Sequence, residues 1–320
     1  MEQGTQSQTI SPQQQSASPD EVARAVRATL EQDRSPSDAA KAWRSLTRSR
    51  VGMSGAFIVV LVLMVAAVGP WISPHDPMQH NLRSRFQPPG ASDARGTYVL
   101  GTDQLGRDVL SRIIAGTRIS VIIGVLSVVI SGVIGVTYGL VAGFFGGRLD
   151  DALMRFADAF LAIPFIVLVV AASGVLGPGL VTLIFILGLT RWVTYARLVR
   201  GETLAVRETE YITAARALGQ TSLKIMFKHI LPNVTGSILV VATLSVATAI
   251  LAESALSFLG LGVQPPNITW GLMLADGRQY IGSAWWMTTF PGIAITITVL
   301  GTVFLGDWLR DVLDPRLRGG

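Results

Sequence analysis

The feature that most constrains this chain is an apolar run of 22 residues, from residue 51 to residue 72. As an α-helix it extends about 33 Å, at about 1.5 Å per residue, which suits the roughly 30 Å hydrocarbon core of a bilayer. A single segment in lipid satisfies its backbone hydrogen bonds only as a helix. Four basic residues precede it and predict that its N-terminus lies inside. They are Lys41, Arg44, Arg48 and Arg50.

Further apolar segments follow, so the predicted fold class is an all-α polytopic membrane protein with six transmembrane helices. Half of the 320 residues are hydrophobic and 15% are charged, with a mean hydropathy of +0.49. These values exclude an ordinary soluble domain. The six expected spans cover residues 51–72, 119–145, 160–177, 180–198, 233–260 and 290–309.

Composition divides the chain into three parts. Residues 1–45 are rich in Gln, Ser and Pro and are expected to form a disordered cytoplasmic tail, with a short helix over residues 21–32. Residues 46–118 hold span 1 and an external connection, and residues 119–320 form a core domain of five spans. Nineteen of the 26 Lys and Arg residues lie in the segments expected to be internal, namely residues 1–50, the loop after span 2, residues 191–232 and the short C-terminal tail. This pattern predicts that both termini are cytoplasmic, and it argues against nucleic acid binding.

Span 2 carries small residues at every fourth position. Gly135, Gly139 and Gly143 lie on one helical face, in register with Ser131 and Gly147. Such a ladder permits close helix contact where lipid provides no hydrophobic drive. We therefore expect helix packing at these glycines, against a neighbour either in this chain or in a second one.

Charged residues near the spans predict local ion pairs. Signs alternate between residues 103 and 112, which predicts a short helix with internal pairs in the external connection. Arg155 and Asp158 are three residues apart and predict an interfacial pair. Arg191 lies only 11 residues into span 4, so it must approach the inner interface, find a partner or snorkel.

The polar, basic stretch 210–232 lies between spans 4 and 5. Gly219 provides a helix end because glycine tolerates positive φ, a second short helix is expected over residues 223–231, and Pro232 fits the first turn of the next helix. A helix before Gly219 would place four residues on one stripe, Ala214, Ala215, Leu218 and Ser222. Small side chains there would let another protein approach closely, so the stretch is typical of a docking element.

The order Glu210, Ala214-Ala215, Gly219, Ile230-Leu231-Pro232 resembles the EAA loop of ABC-importer permeases. Further stretches resemble the second permease subunit of the dipeptide/oligopeptide/nickel importer family, and the likeness covers roughly residues 45–320. They are LGTDQLGRDVLSR (100–112), AESALSFLGLGVQPP (252–266), WGLMLADGR (270–278) and LRDVLDPRLR (309–318). The resemblance implies a coupling loop that contacts an ATPase. In that loop Glu210 caps or orients the helix, Ala214, Ala215 and Leu218 form the contact face, and Gly219 makes the bend.

The resemblance also implies the function, which is that of a multi-pass permease subunit in the bacterial plasma (inner) membrane. Its implied partners are a second homologous permease, two ATPase subunits, an external substrate-binding protein and membrane lipid. ATP and Mg would be bound by the partner ATPases, and no cofactor is expected in this chain. Alternating access would follow from ATP-driven motion of the docking helix. Dipeptides, oligopeptides and nickel chelates all stay open as substrates.

Glu253 is the acidic residue expected inside span 5. A carboxylate inside a span is costly and usually faces protein or water. Two interpretations stay open. Glu253 either lines a pathway or gate between two permeases, or forms a hydrogen bond between helices that holds the bundle together.

Enzyme chemistry finds no support in the sequence. Cysteine is absent, and no G-x-x-x-x-G-K-[ST] loop or G-x-S-x-G elbow occurs. The histidines, His75, His80 and His229, do not have metal-ligand spacing. From hydropathy alone, an ATP-independent secondary transporter or channel is the alternative. It predicts charged or broken-helix sites at mid-membrane and has no need of the 210–232 loop.

Overall fold

A computed structural model of the chain describes residues 46, 47 and 49–313, so the predicted tail and its helix over residues 21–32 lie outside the described residues. A π-helical turn, Ile225–Ile230, joins the short helix Ser222–Lys224 to the long helix Leu231–Phe258. The elements follow in the order α1 (Arg50–Ile72), β1 (Ala91–Asp93), β2 (Gly96–Tyr98), α2 (Val109–Phe145), α3 (Gly147–Leu161), α4 (Phe165–Leu176), α5 (Leu180–Arg207), α6 (Glu210–Ala217), α7 (Ser222–Lys224), α8 (Leu231–Phe258), α9 (Trp270–Gly277) and α10 (Trp286–Leu313).

The predicted all-α polytopic fold is confirmed. Within the described residues, five helical segments are long and apolar enough to cross a membrane, namely α1, α2, α5, α10 and the continuous Ser222–Phe258 segment. The α3–α4 pair, bent by 81°, supplies the sixth span if it crosses once. The antiparallel pairing of β1 with β2 is a small feature that the sequence did not predict.

The bundle has two distinct ends. The hairpin end carries β1, β2 and α9. There the Trp286 indole N–H, at the start of α10, donates to the carbonyl of Thr102, which follows β2, at 3.0 Å. The α6 end carries α6 and the turn at Gly219. Both limits of the described chain lie at the α6 end, since Gly52 lies against Trp308 and Gly236 against Leu313.

Asp93 organises the β hairpin. Its Oδ2 accepts hydrogen bonds from Ser84 Oγ at 2.5 Å, Asn81 Nδ2 at 2.8 Å and Tyr98 OH at 2.9 Å. Its Oδ1 accepts from the Arg95 backbone N–H at 2.7 Å. Donors that favour the charged form, with Ser84 contributing most and the Arg95 amide next, lower the pKa of Asp93 from 3.8 to about 2. The hairpin therefore closes around an ionised carboxylate.

Helix α2 begins at Val109, well before the predicted start of span 2. The cause is local, because Asp108 caps the helix by accepting from the Ser111 backbone N–H at 2.9 Å. The predicted short helix over residues 103–112 is wrong in its first half, which forms a turn whose Asp103 N–H donates to the Arg107 carbonyl at 3.0 Å. With 37 residues, or about 55 Å, α2 is longer than the hydrocarbon is thick.

The predicted third span, residues 160–177, is broken. α4 has only 12 residues, about 18 Å, and is separated from α3 by residues 162–164. Pro164 lies just before α4 with ψ 133°, outside the helical range. The region expected to be a short inner loop is instead helix α3, which is why the break falls inside the predicted span.

The predicted pair between Arg155 and Asp158 is also wrong. Asp158 accepts from Arg197 on α5 at 2.5 Å. One turn further along α5, Arg200 makes a bidentate pair with Asp150 on α3, at 2.5 and 2.7 Å. Both aspartates thus hold α3 against α5 rather than pairing along α3 itself.

The small residues of α2 face α5 of the same chain. A Cβ at Gly139 would lie 2.5 Å from the Ala196 carbonyl, and one at Gly143 would lie 2.7 Å from Thr203 Cβ. Gly135 is similarly enclosed by the backbone of Trp192. The ladder ends there, because a Cβ at Gly147 meets nothing within 4 Å. The two helices therefore pack backbone to backbone, as close contact in lipid requires.

Candidate functional site

Helix α6 lies flat against the bundle on two side chains. Ile212 and Ala215 are buried and pack against the ends of α2, α5 and α8. Their neighbours in this apolar cluster are Leu140, Val199, Ile225, Ile230 and Val234. The amphipathic spacing of Ile212 and Ala215, three residues apart, is what fixes the orientation of α6.

The turn after α6 is a Schellman motif. Gly219 has φ +73°, and its N–H donates to the Arg216 carbonyl at 2.9 Å. The Gln220 N–H donates to the Ala215 carbonyl at 3.2 Å, which completes the pair of bonds that defines the motif. Glycine is preferred at such a position because positive φ brings no Cβ clash.

The orientation of α6 buries one member of the predicted docking stripe and exposes the others. Ala215 is only 5% exposed and faces its own chain, so it is removed from the predicted contact face. Glu210, Ala214, Leu218 and Gly219 are exposed. Glu210 is the first residue of α6 rather than its N-cap, which is Thr209.

Large apolar side chains extend the exposed face beyond the predicted stripe. Leu218 is 80% exposed, Leu223 64% and Phe227 54%. The predicted second helix is part of the continuous Ser222–Phe258 segment, with Pro232 in the first turn of α8. We name Glu210, Ala214, Leu218, Leu223 and Phe227 the docking surface. Leu223 and Phe227 lie four residues apart, a helical spacing that could have pointed to them from sequence.

The docking surface is tied to the membrane helices by polar contacts. The Asn233 amide on α8 donates to the Tyr211 hydroxyl on α6 at 3.2 Å. His229 and Gln220 are joined at 2.9 Å across the Gly219 turn. The Arg216 guanidinium lies 5.2 Å from the centroid of the Phe144 ring on α2. A displacement of α6 would therefore be transmitted to α2 and α8.

Glu253 lies in a closed polar pocket near the end of α8. Its side chain is fully buried, and the Ser257 hydroxyl donates to its Oε1 at 2.8 Å. Ser254 and Thr269 also contact the carboxyl group. A Cβ at Gly271 on α9 would lie 3.1 Å from Oε1. This geometry places Glu253 between α8 and the start of α9, and a gate or pathway role stays a prediction.

Four charged side chains that the sequence does not connect form an ionic cluster at the hairpin end. Asp103 pairs with Arg107 Nε at 2.6 Å and with Arg112 Nη1. Both arginines also approach Asp276 on α9, at 3.5 and 3.4 Å. We name Asp103, Arg107, Arg112 and Asp276 the ionic cluster. It joins the stretches 100–112 and 270–278, which are adjacent in space although distant in sequence.

Metal-binding geometry does not occur in the part of the chain that the structure describes. There, no group of three or more His, Asp and Glu side chains is arranged to hold an ion.

Comparison with known proteins matches two family profiles. Residues 135–319 match the binding-protein-dependent transport system inner membrane component, and residues 37–89 match the N-terminal TM domain of oligopeptide transport permease C. The chain is 42% identical over 278 residues to the dipeptide transport system permease protein DppC of Bacillus subtilis (strain 168), across 87% of this chain and 85% of the relative. It is 42% identical over 270 residues to the oligopeptide transport system permease protein OppC of the same organism, across 84% and 87%.

A solved structure shares the fold. An inward-facing form of the MetNI methionine ABC transporter aligns with a TM-score of 0.51 and 23% identity, covering 62% of this chain and 94% of that one. This likeness supports the fold alone. The curated relatives are transport permeases rather than enzymes.

Proposed function

The chain belongs to the family of binding-protein-dependent transport system inner membrane components, and we propose that it is the permease subunit of an ATP-driven ABC importer for peptides. The observation that carries this proposal is the docking surface. Leu218, the C-cap of α6, is 80% exposed, whereas Ile212 and Ala215 on the inner side of α6 are packed into the bundle. Exposed apolar side chains on a rigid element are typical of a protein interface.

The partner at this surface is one of two ATPase subunits, which bind the ATP and Mg that this chain does not. Closure of the ATPases displaces α6, and the contacts at Tyr211, Gln220 and Arg216 transmit the motion to the spans. Alternating access follows as a rigid-body rearrangement. A second permease completes the pore, and an external binding protein delivers the peptide.

The orientation follows from charge. Lys and Arg residues concentrate in the tail and at the α6 end, so that end and both termini are cytoplasmic, in a bacterial inner membrane. The hairpin end is then external. Its four-residue ionic cluster contains both signs and so adds little net charge there.

The secondary-transporter alternative predicts a broken helix at membrane depth, and the α3–α4 pair has that form. Family membership nevertheless favours the ATP-driven importer. An importer needs a surface that contacts an ATPase, whereas a secondary transporter does not.

Co-purification tests the proposal. The chain is expressed with its neighbouring transport proteins and extracted in detergent, as wild type and as Leu218→Asp. We expect wild type to retain an ATPase and Leu218→Asp to lose it, because a charge replaces the apolar anchor. Leu149→Asp is the matched control, since Leu149 is an exposed leucine on α3 at the same end but outside the docking surface.

Retention of the ATPase by both variants would contradict the docking assignment. Absence of any ATPase from the wild-type preparation would favour the secondary transporter.

A further inference from the structure

By helix length, the break between α3 and α4 falls at membrane depth, and side chains beside it are exposed. α4 runs about 18 Å from the turn at residues 177–179, so the break is roughly halfway across about 30 Å of hydrocarbon. Leu161 and Ile163, beside the break, are exposed in the isolated chain. Non-helical backbone at this depth is tolerated only where it is buried in protein or lines a water-filled cavity.

Arg191 lies at the same depth and against the same break. It follows Leu180, the first residue of α5, by 11 residues, or about 17 Å. Its guanidinium donates to Thr248 Oγ1 on α8 at 2.9 Å. Within residues 46, 47 and 49–313, no carboxylate oxygen lies within 4.0 Å of it. A cation inside the membrane without an acidic partner is expected to face water or a cavity.

A cavity of about 310 Å³ joins the two features. Phe160, Pro164 and Leu168 line it from the broken pair, and Thr190 and Arg191 line it from α5. Its walls are apolar apart from Thr190 and Arg191. A guanidinium has five N–H donors, and the bond to Thr248 uses one of them. The remaining donors suit a planar carboxylate, which Arg binds in a bidentate manner.

We propose that Arg191, held in place by Thr248, lines the water-filled translocation pathway and binds the carboxylate of the passing solute. This assignment rests on the proposed importer function and adds the chemical group that the pathway recognises. A single arginine in an open cavity binds a carboxylate weakly. Weak binding suits transport, because the solute must be able both to enter the site and to leave it. The alternative is that Arg191 extends to a lipid phosphate at the inner interface.

Thiol labelling distinguishes water from lipid at this position. The natural chain has no cysteine, so Arg191→Cys provides its single thiol. In membranes carrying the assembled transporter, we expect a membrane-impermeant methanethiosulfonate to modify Arg191→Cys, because thiolate chemistry needs water. Leu189→Cys is the matched control, because Leu189 is exposed in the isolated chain and lies about 200° around α5 from Arg191, on a side where we expect lipid. Absence of labelling at Arg191→Cys, or equal labelling of both variants, would overturn the proposal.

Changing the charge at residue 191 tests whether Arg191 binds the carboxylate of the solute. Proteoliposomes with the assembled transporter are assayed for uptake of radiolabelled dialanine. Arg191→Gln should lower uptake about tenfold, equivalent to about 1.4 kcal/mol, whereas Arg191→Lys should retain most of it. On Arg191→Cys, a cationic methanethiosulfonate adduct should restore uptake and an anionic adduct should not. Retained ATPase in each preparation verifies that the variant has assembled.

Normal uptake by Arg191→Gln, or rescue by both adducts alike, would overturn the carboxylate assignment while leaving the importer function intact. Failure of the wild type to take up dialanine would instead count against the proposed function, and the labelling experiment would still decide whether Arg191 faces water.

Discussion

The two ends of the bundle use charged and apolar residues in opposite ways. At the hairpin end, four charged side chains of the ionic cluster pair with one another, and Arg107 and Arg112 are buried. At the α6 end, Arg197 and Asp158 pair in the open, while Leu218 and Phe227 are exposed. The hairpin end therefore joins distant stretches of the chain through buried ion pairs. The α6 end has its ion pair at the surface and exposes apolar side chains of the docking surface.

The largest expected effect is at the ionic cluster. Asp103→Asn keeps the shape but removes the charge that pairs with Arg107 and Arg112. Breaking a buried pair by removing one partner costs about 3–5 kcal/mol of unfolding free energy. Thermal unfolding of the purified protein in detergent should show a clearly lowered midpoint.

The matched control is Asp158→Asn at the α6 end, where the exposed pair with Arg197 is worth about 0–1 kcal/mol. If the two variants unfold at the same temperature, the buried ion pairs of Asp103 contribute no more to the unfolding free energy than the exposed pair of Asp158.

Helix packing gives the next largest effect. Gly139→Ala places a methyl group 2.5 Å from the Ala196 carbonyl and should cost about 1–3 kcal/mol through overpacking. Gly132→Ala, on the same helix with nothing within 4 Å, should be neutral or stabilising. Unfolding midpoints check both variants, and a neutral Gly139→Ala would mean that α2 and α5 can separate at little cost.

The turn at Gly219 should affect coupling more than stability. Gly219→Val forces a β-branched residue to φ +73°, a strain of about 1–2 kcal/mol confined to the Schellman turn. Peptide uptake per ATP hydrolysed should fall while membrane insertion is retained, and the unfolding midpoint should fall only by the few degrees that this strain accounts for. Gly201→Val, also in open space but within α5, should leave coupling intact. Normal coupling in Gly219→Val would remove the turn from the mechanism.

The smallest effect is the acid sensitivity of the β hairpin. Because the pKa of Asp93 is lowered from 3.8 to about 2, its stabilisation is present above pH 3.8 and is lost as the pH falls through about 2. Hydrogen exchange of the hairpin amides should therefore accelerate relative to the ionic cluster between about pH 4 and pH 2. Asp93→Asn should abolish this acid-dependent change, and an unchanged acid response would place its origin elsewhere.

Local chemistry made much of the fold predictable. The lengths of the apolar runs predict the spans, and the conformational freedom of Gly219 and the missing amide of Pro232 predict where helices end and begin. The break at residues 162–164 was not predicted, because a proline after a helix is compatible with either an inner loop or an interrupted span.

Residue partners were predicted less well. Spacing paired Asp158 with Arg155, whereas the helix packing of α3 against α5 brings Arg197 to Asp158. Asp103 and Asp276 lie in two recognisable stretches, yet nothing in either stretch indicates that both carboxylates pair with Arg107 and Arg112. Residue spacing predicts contacts within one helix, but it carries no information about partners on another helix.

The sequence by itself therefore determined that the chain is a helical membrane protein, and it predicts a docking loop, because hydrophobic length and backbone freedom are local properties. Only the tertiary structure decided which side of α6 is exposed and therefore free to contact a partner. Ala214 and Ala215 are chemically identical neighbours, yet burial against α2, α5 and α8 takes Ala215 and leaves Ala214 exposed. The surroundings of Arg191 were also decided by the tertiary structure. The role proposed for Arg191 depends on the break between α3 and α4, which lies beside it.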